Sequence, residues 1–253
     1  MRHQDRMHLA QALCDRIVGK YDGDVIVGGL YGSTARGLDI ETSDLEMLFI
    51  ARNDCKAKGQ QIVYRGMPVF YSVTAQGELE KTLANPSLDG VFNWPFWMGV
   101  LSVVRVMHGE QSQVEAWLEL GSSVPDERFR KALEEELPGL ILESYGRILS
   151  CRERNNPDDV YCAVLEVLFE MRDALCLLNR SWVTHDYIQG LVDSFRFPKL
   201  PRSYRELGLK LWRARGFDEV IPMAEQLVGD FWRLMEEEGI RLRGYDDVSD
   251  VAV

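Results

Sequence analysis

The sequence predicts an α+β protein, with a mixed sheet and flanking helices first and a helical bundle domain after it. Two observations carry this prediction. Short, β-branched apolar runs cluster before about residue 75, and beyond it apolar residues recur at helical spacing. A strand-rich first half followed by a run of helices argues for an α+β architecture, or for an α/β domain joined to a helical bundle. The boundary is expected near residues 122–126, where GSSVPD supplies both a loop and a helix start. That gives a first domain over residues 1–124 and a second over residues 125–253.

Met7, Ala10, Leu13, Cys14 and Ile17 fall on one helical face and predict a first helix. Val25–Tyr31 is short and β-branched, so it reads as a buried strand, and Leu45–Ala51 reads as another. Ile62–Tyr64 and Pro68–Val73 flank Arg65-Gly66, a turn signal, and form a third and fourth strand. Helices are predicted over Glu78–Leu83, Phe96–Val106, Val114–Leu120, Glu127–Leu149, Val160–Leu178, Asp186–Phe195, Tyr204–Ala214 and Phe217–Glu238. Pro138 must kink or split the longest of these, because it lacks an amide hydrogen and clashes with the preceding turn.

The composition narrows the partners. Forty acidic against 29 basic residues give a net charge of -11, a field that repels nucleic-acid backbones and draws in cations. Nucleic-acid binding is therefore not expected, and a cationic small molecule is. An acidic surface that merely maintains solubility explains the charge as well. Five widely spaced cysteines without a CxxC pair argue against a structural zinc site and fit free thiols. No apolar run reaches the roughly 18–20 residues of a membrane span, and the N-terminus has no signal-peptide core. A cytoplasmic protein without membrane association is expected.

Chemistry concentrates in GGLYGSTARGLDIETSDLEMLFI, from Gly28 to Ile50. It reads as strand, Gly-Ser turn, short helix, loop, and a strand opened by Asp44 and Glu46. Residues two apart on a strand share a face, so two carboxylates stand side by side. Such a pair repels unless a cation sits between them, and Mg²⁺ suits one or two carboxylates completed by phosphates and water. Gly32 lets backbone approach a phosphate, Ser33 offers amide and hydroxyl donors, and Arg36 offers a planar fork. The inferred reaction is attack on the α-phosphate of a nucleoside triphosphate, with pyrophosphate leaving. The bland reading makes Asp44 a turn cap and Glu46 a solvated strand residue.

GS-x-x-RG followed by SDLE resembles the signature of the DNA polymerase β-like nucleotidyltransferases. Within that superfamily the chain is similar to the kanamycin nucleotidyltransferase family of aminoglycoside 4′-O-nucleotidyltransferases. Weaker likeness extends through Trp94, Pro95 and Gly99, through Leu142–Arg147, and into the C-terminal helices. The resemblance implies a nucleotidyltransferase domain over residues 1–124, metal binding by Asp44 and Glu46, and triphosphate binding by Gly32, Ser33 and Arg36. It also implies that Glu143 is the catalytic base and that Arg147 contacts the nucleotide. A homodimer follows on the same terms, with the base supplied by the partner chain, and an aminoglycoside becomes the leading acceptor. Read from its residues alone, Glu143 lies in the apolar stretch GLILESYGRIL, where burial suits a general base. An exposed helix pair with Arg147 is the plainer alternative.

One departure stands out. The family takes a third carboxylate from the next strand, and Phe70 occupies the matching position here, with Met67 or Tyr71 if the register slips. No acidic residue occurs between Cys55 and Gly77. That leaves three functions: transfer to a small cationic acceptor, nucleotide binding without catalysis, or nucleotidylation of a protein. The remaining features are read as structure. His3, His8, His108 and His185 make no metal-ligand spacing, and Asn93–Trp97 suits a core or a dimer contact better than a sugar wall. Glu134–Glu136 and Glu236–Glu238 read as solvated helix faces, and Asp246, Asp247 and Asp250 as a fraying tail.

Overall fold

A computed structural model describes every residue except Asp22, Asp186, Arg243, Tyr245, Asp246, Asp247 and residues 251–253. The chain is α+β and forms two compact units, residues 1–85 with 96–124, and residues 86–95 with 125–253. The proline-flanked segment Pro86–Pro95 groups with the second unit, so the units are not simply consecutive in the chain.

The first unit runs α1 (His3–Lys20), β1 (Val25–Tyr31), α2 (Gly32–Ala35), β2 (Leu45–Ala51), β3 (Gln60–Tyr64), β4 (Met67–Ala75) and α3 (Gln76–Ala84). After the crossing into the second unit come α4 (Trp94–Val103), β5 (Arg105–His108) and α5 (Gln111–Ser122). The five strands form one mixed sheet in the order β3-β4-β2-β1-β5. β2 and β4 pair in parallel while the other neighbours are antiparallel. β1 and β2 sit inside the sheet and are buried almost throughout, as expected of strands covered on both faces. Ala10, Cys14 and Ile17 of α1 pack with Leu30, Leu45, Met47 and Phe49 in one core cluster. Truncating Leu45 or Met47 to alanine there is expected to cost about 2–5 kcal/mol. Arg65 and Gly66 both adopt positive φ (49° and 79°), the two-residue turn that suits the right-handed twist of the β3–β4 hairpin.

The sequence places a helix over Phe96–Val106, but α4 ends at Val103 and β5 follows at once. Tertiary pairing is the reason. Gly29 carries no side chain, and a β-carbon there would stand 2.6 Å from Val104 Cγ2 and 3.2 Å from the Arg105 carbonyl oxygen. The strand can therefore lie close against β1, with Gly29 opposite Val106 and Leu30 opposite Arg105. A strand thus exists well beyond residue 75.

The second unit contains α6 (Asp126–Glu136), α7 (Ile141–Glu153), α8 (Val160–Asn179), α9 (Tyr187–Ser194), α10 (Tyr204–Arg213) and α11 (Phe217–Glu237). Pro138 does split the long helical stretch, through a 3₁₀ turn at Leu137–Gly139. Trp94 is fully buried and makes edge-on contacts with Phe129 at 5.0 Å and Trp182 at 6.2 Å, a core role. The acidic runs are not simply solvated: Glu136 accepts the Leu88 amide, Glu134 accepts that of Arg241 at 3.1 Å, and Glu238 pairs with Lys199 at 2.7 Å. The Asp186 start of one predicted helix, and Asp246 and Asp247, lie outside the described residues. The five cysteines are free, and no helix among the described residues is long and apolar enough to cross a membrane.

Candidate active site

β1 ends at Tyr31, which faces Glu46 across the antiparallel β1–β2 ladder. The chain then leaves the sheet through Gly32 at φ +70°, a conformation side chains resist. A β-carbon at Gly32 would stand 2.9 Å from the Glu46 carboxyl carbon and closer still to Oε2. The missing side chain therefore lets the half-buried Glu46 carboxylate lie directly against the turn. Ser33 is the second residue of the single helical turn α2, and its carbonyl accepts the Leu38 amide at 2.9 Å. Arg36 follows that turn, and its Nε donates back to the Gly32 carbonyl at 3.1 Å. Its Nη1 is buried and finds no acceptor among the described residues.

Asp44 is exposed and lies one residue before β2 rather than on it. Its carbonyl accepts a long hydrogen bond from Thr34 Oγ1 at 3.5 Å, which ties the lead-in to α2. On the other side of β2, Glu46 pairs with Phe70 of β4, and Phe70 with Gln61 of β3. The register thus puts a phenylalanine in the position next to Glu46. Among the described residues, no group of three or more His, Cys, Asp or Glu side chains could hold a metal ion.

These residues fit a divalent cation carried on a polyphosphate. Two carboxylates supply hard oxygen donors, and phosphate oxygens and water complete the shell that Mg²⁺ prefers. A buried donor without an acceptor is uncommon in a folded protein, and Arg36 Nη1 is the kind that a phosphate oxygen satisfies. Gly32, Ser33, Arg36, Asp44 and Glu46 all belong to the first unit.

Glu143 and Arg147 belong to the second. Arg147 Nη2 donates to Glu143 Oε1 at 2.6 Å, and Nη1 donates to Glu166 Oε2 at 2.5 Å. The bonds to Glu166 and then Glu143 raise the Arg147 pKa above its ordinary value. Glu143 itself is not buried, contrary to what its apolar neighbours suggested, and its side chain is 58% exposed. α7 turns Ile141, Ser144 and Ile148 into the core and leaves Leu142, Glu143 and Arg147 outside. The carboxyl that burial does push up is Glu170 on α8, where Ser144 Oγ donates to it at 2.6 Å and partly offsets the shift. Glu170, Glu166 and Asp173 line a cavity of about 240 Å³ with Leu88, Leu140 and Phe169. Nothing in the sequence marks Glu170 except an i,i+4 spacing from Glu166.

No protein-family model matches the chain. An aminoglycoside nucleotidyltransferase (4′) from a Bacillus species is 23% identical over 133 residues, 53% of this chain and 51% of that protein. The chain therefore matches about half the length of this relative. The structure of a nucleotidyltransferase-like protein from Exiguobacterium sibiricum superposes with a TM-score of 0.51 at 12% identity, covering 90% of this chain and 75% of that one. The chain has a nucleotidyltransferase-like fold, and both likenesses support the family resemblance drawn from GS-x-x-RG and SDLE.

Proposed function

We propose that the protein is a metal-dependent nucleotidyltransferase. It moves a nucleoside monophosphate from a nucleoside triphosphate to a hydroxyl of a small cationic acceptor of the aminoglycoside class. The observation that carries this reading is the meeting of the Gly32 turn with the Glu46 carboxylate, two residues from Asp44, together with a buried Arg36 donor that finds no acceptor among the described residues. The partial likeness to the Bacillus aminoglycoside nucleotidyltransferase supports the acceptor class, as does the net charge of -11.

Asp44 and Glu46 hold Mg²⁺ on the triphosphate, which when bound neutralises charge that builds on the phosphate oxygens. Arg36 gives its free Nη1 donor to the polyphosphate, and Ser33 adds a hydroxyl. Gly32 keeps the backbone low enough for the phosphates to approach. Glu143, supplied by the partner subunit of a homodimer, takes the proton from the acceptor hydroxyl. That oxygen bonds to the α-phosphorus as the bond to pyrophosphate breaks. Arg147 bridges Glu143 and Glu166, so its role toward the nucleotide includes holding the base in place.

A second reading rests on Phe70. With a phenylalanine paired to Glu46 where a third carboxylate would stand, the site suits metal–nucleotide binding without transfer. Incubation with α-labelled ATP, Mg²⁺ and an aminoglycoside panel separates the two. Label is expected on a drug, and is expected to vanish in Asp44→Asn and Glu143→Gln. Tight Mg²⁺-dependent ATP binding with no labelled product would leave the binding reading. Absence of nucleotide binding would sink both.

A further inference from the structure

Arg6 of α1 is 1% exposed, yet it carries a full charge. Its Nη1 donates to the Met1 carbonyl at 2.7 Å and to Asp39 Oδ2 at 2.9 Å. Nη2 lies within donating distance of three further carbonyls, those of Ile40 at 2.7 Å, Glu41 at 2.8 Å and Ser43 at 2.9 Å. The Asp39 carboxylate is equally buried, and its other oxygen meets His3 Nδ1 at 2.6 Å. Burying an ion pair is unfavourable unless further hydrogen bonds compensate for the lost water. Here three of those bonds go to carbonyls of one short segment, Ile40 to Ser43.

That segment's other ties are long: the Met1 ammonium donates to the Glu41 carbonyl at 3.3 Å, and Thr34 Oγ1 donates to the Asp44 carbonyl at 3.5 Å. It runs between Gly37 and β2 without helix or strand, and its apolar residues Leu38 and Ile40 are 61% and 67% exposed. Local turn bonds join Ile40 and Ser43, at 2.9 Å from the Ile40 amide to Ser43 Oγ and 3.0 Å from the Ser43 amide to the Ile40 carbonyl. The Ser43 carbonyl is held by Arg6, and the next residue is Asp44. Hard cations accept only small departures in ligand distance, about 0.2 Å, so the backbone from which Asp44 departs must be held firmly.

We infer that Arg6 is a positioning residue: its guanidinium gathers the 40–43 carbonyls and so sets the Asp44 carboxylate for the metal–nucleotide. This rests on the reading of Asp44 as a metal ligand. Lysine at the same place keeps the charge but cannot span the same fork of acceptors.

The test compares wild type, Arg6→Lys and Asp39→Asn by amide hydrogen exchange and by Mn²⁺ binding in the presence of ATP. Nucleotide binding in EDTA is measured in parallel. Arg6→Lys is expected to speed exchange across residues 38–44 about tenfold or more while the β1 and β2 amides stay protected. It is also expected to weaken Mn²⁺–ATP binding about 10–100-fold, as loss of an outer partner of a metal ligand does, and to leave metal-free ATP binding unchanged. Asp39→Asn, which keeps every carbonyl acceptor in place, serves if Arg6→Lys does not fold and should shift the same readouts less. Wild-type Mn²⁺–ATP affinity in a folded variant, or exchange that rises evenly through the sheet, overturns the inference. If wild type binds no Mn²⁺–ATP, the nucleotidyltransferase reading fails and the proposed role for Arg6 falls with it. The exchange data then report only whether Arg6 secures the loop.

Discussion

Gly32→Ala is the sharpest single test of the site, because the structure separates its cost to stability from its cost to binding. Alanine at φ +70° costs about 1–2 kcal/mol, since its β-carbon crowds the following carbonyl. In a chain of this size that lowers the Tm by only a few degrees. The larger consequence is local. The new β-carbon would stand 2.9 Å from the Glu46 carboxyl carbon and nearer to Oε2, so that oxygen must withdraw by roughly 1.5 Å to reach ordinary contact distance. A flexible side chain can do that cheaply, but a metal ligand displaced so far no longer bonds. Titration of Mn²⁺–ATP binding, followed by electron paramagnetic resonance, should show Gly32→Ala weakened at least as much as an outer-partner mutation, about 10–100-fold. In a double-mutant cycle with Glu46→Ala the loss should not add, because both changes remove the same ligand. Wild-type Mn²⁺–ATP affinity in a folded Gly32→Ala protein would refute the role given to Glu46.

Three further outcomes are expected. Phe70→Asp places a third carboxylate in register with Glu46, and should raise Mn²⁺ affinity and increase transfer; unchanged affinity would show that the β4 position does not reach the metal. If the partner subunit supplies the base, mixing the inactive variants Glu46→Gln and Glu143→Gln should restore about a quarter of wild-type transfer, since half the dimers are mixed and each holds one intact site. No recovery would place both groups on one chain. Glu170 has its pKa raised above the ordinary 4.5, first by burial, so the folded state binds more protons than the unfolded one. Its favourable contribution is present below pH 4.5 and is lost as pH rises through the folded value. Glu170→Gln should therefore unfold at a higher temperature than wild type near pH 8, with the gap closing near pH 4; a gap that does not vary with pH would contradict this account.

Much of the fold was legible because its signals are local. Val25–Tyr31 and Leu45–Ala51 are read from their own residues as strands, and those are their observed bounds. Pro138 breaks a helix by its covalent geometry, and Arg65-Gly66 turns a hairpin through positive φ. Spacing alone likewise put Asp44 and Glu46 two apart beside a glycine turn. Other features depend on what a residue meets across space. Arg105 and Val106 end the apolar helical pattern read from Phe96, yet they belong to β5, because Gly29 leaves β1 open to that strand. Arg6 and Arg16 are both arginines on one amphipathic helix, yet Arg6 alone is buried, because loop 39–43 offers it a carboxylate and carbonyls. Glu143 sits among apolar neighbours in sequence and outside the core in space, since a helix turns adjacent residues about 100° apart. Glu170 shows the converse, a polar residue made unusual by burial. The sequence by itself determined where most of the strands, helices and turns lie, and which residues are the candidates for the chemistry. Only the tertiary structure decided which charges are buried, what binds the carbonyls of residues 40–43, and that Phe70 stands beside Glu46, because each depends on residues brought together from distant parts of the chain.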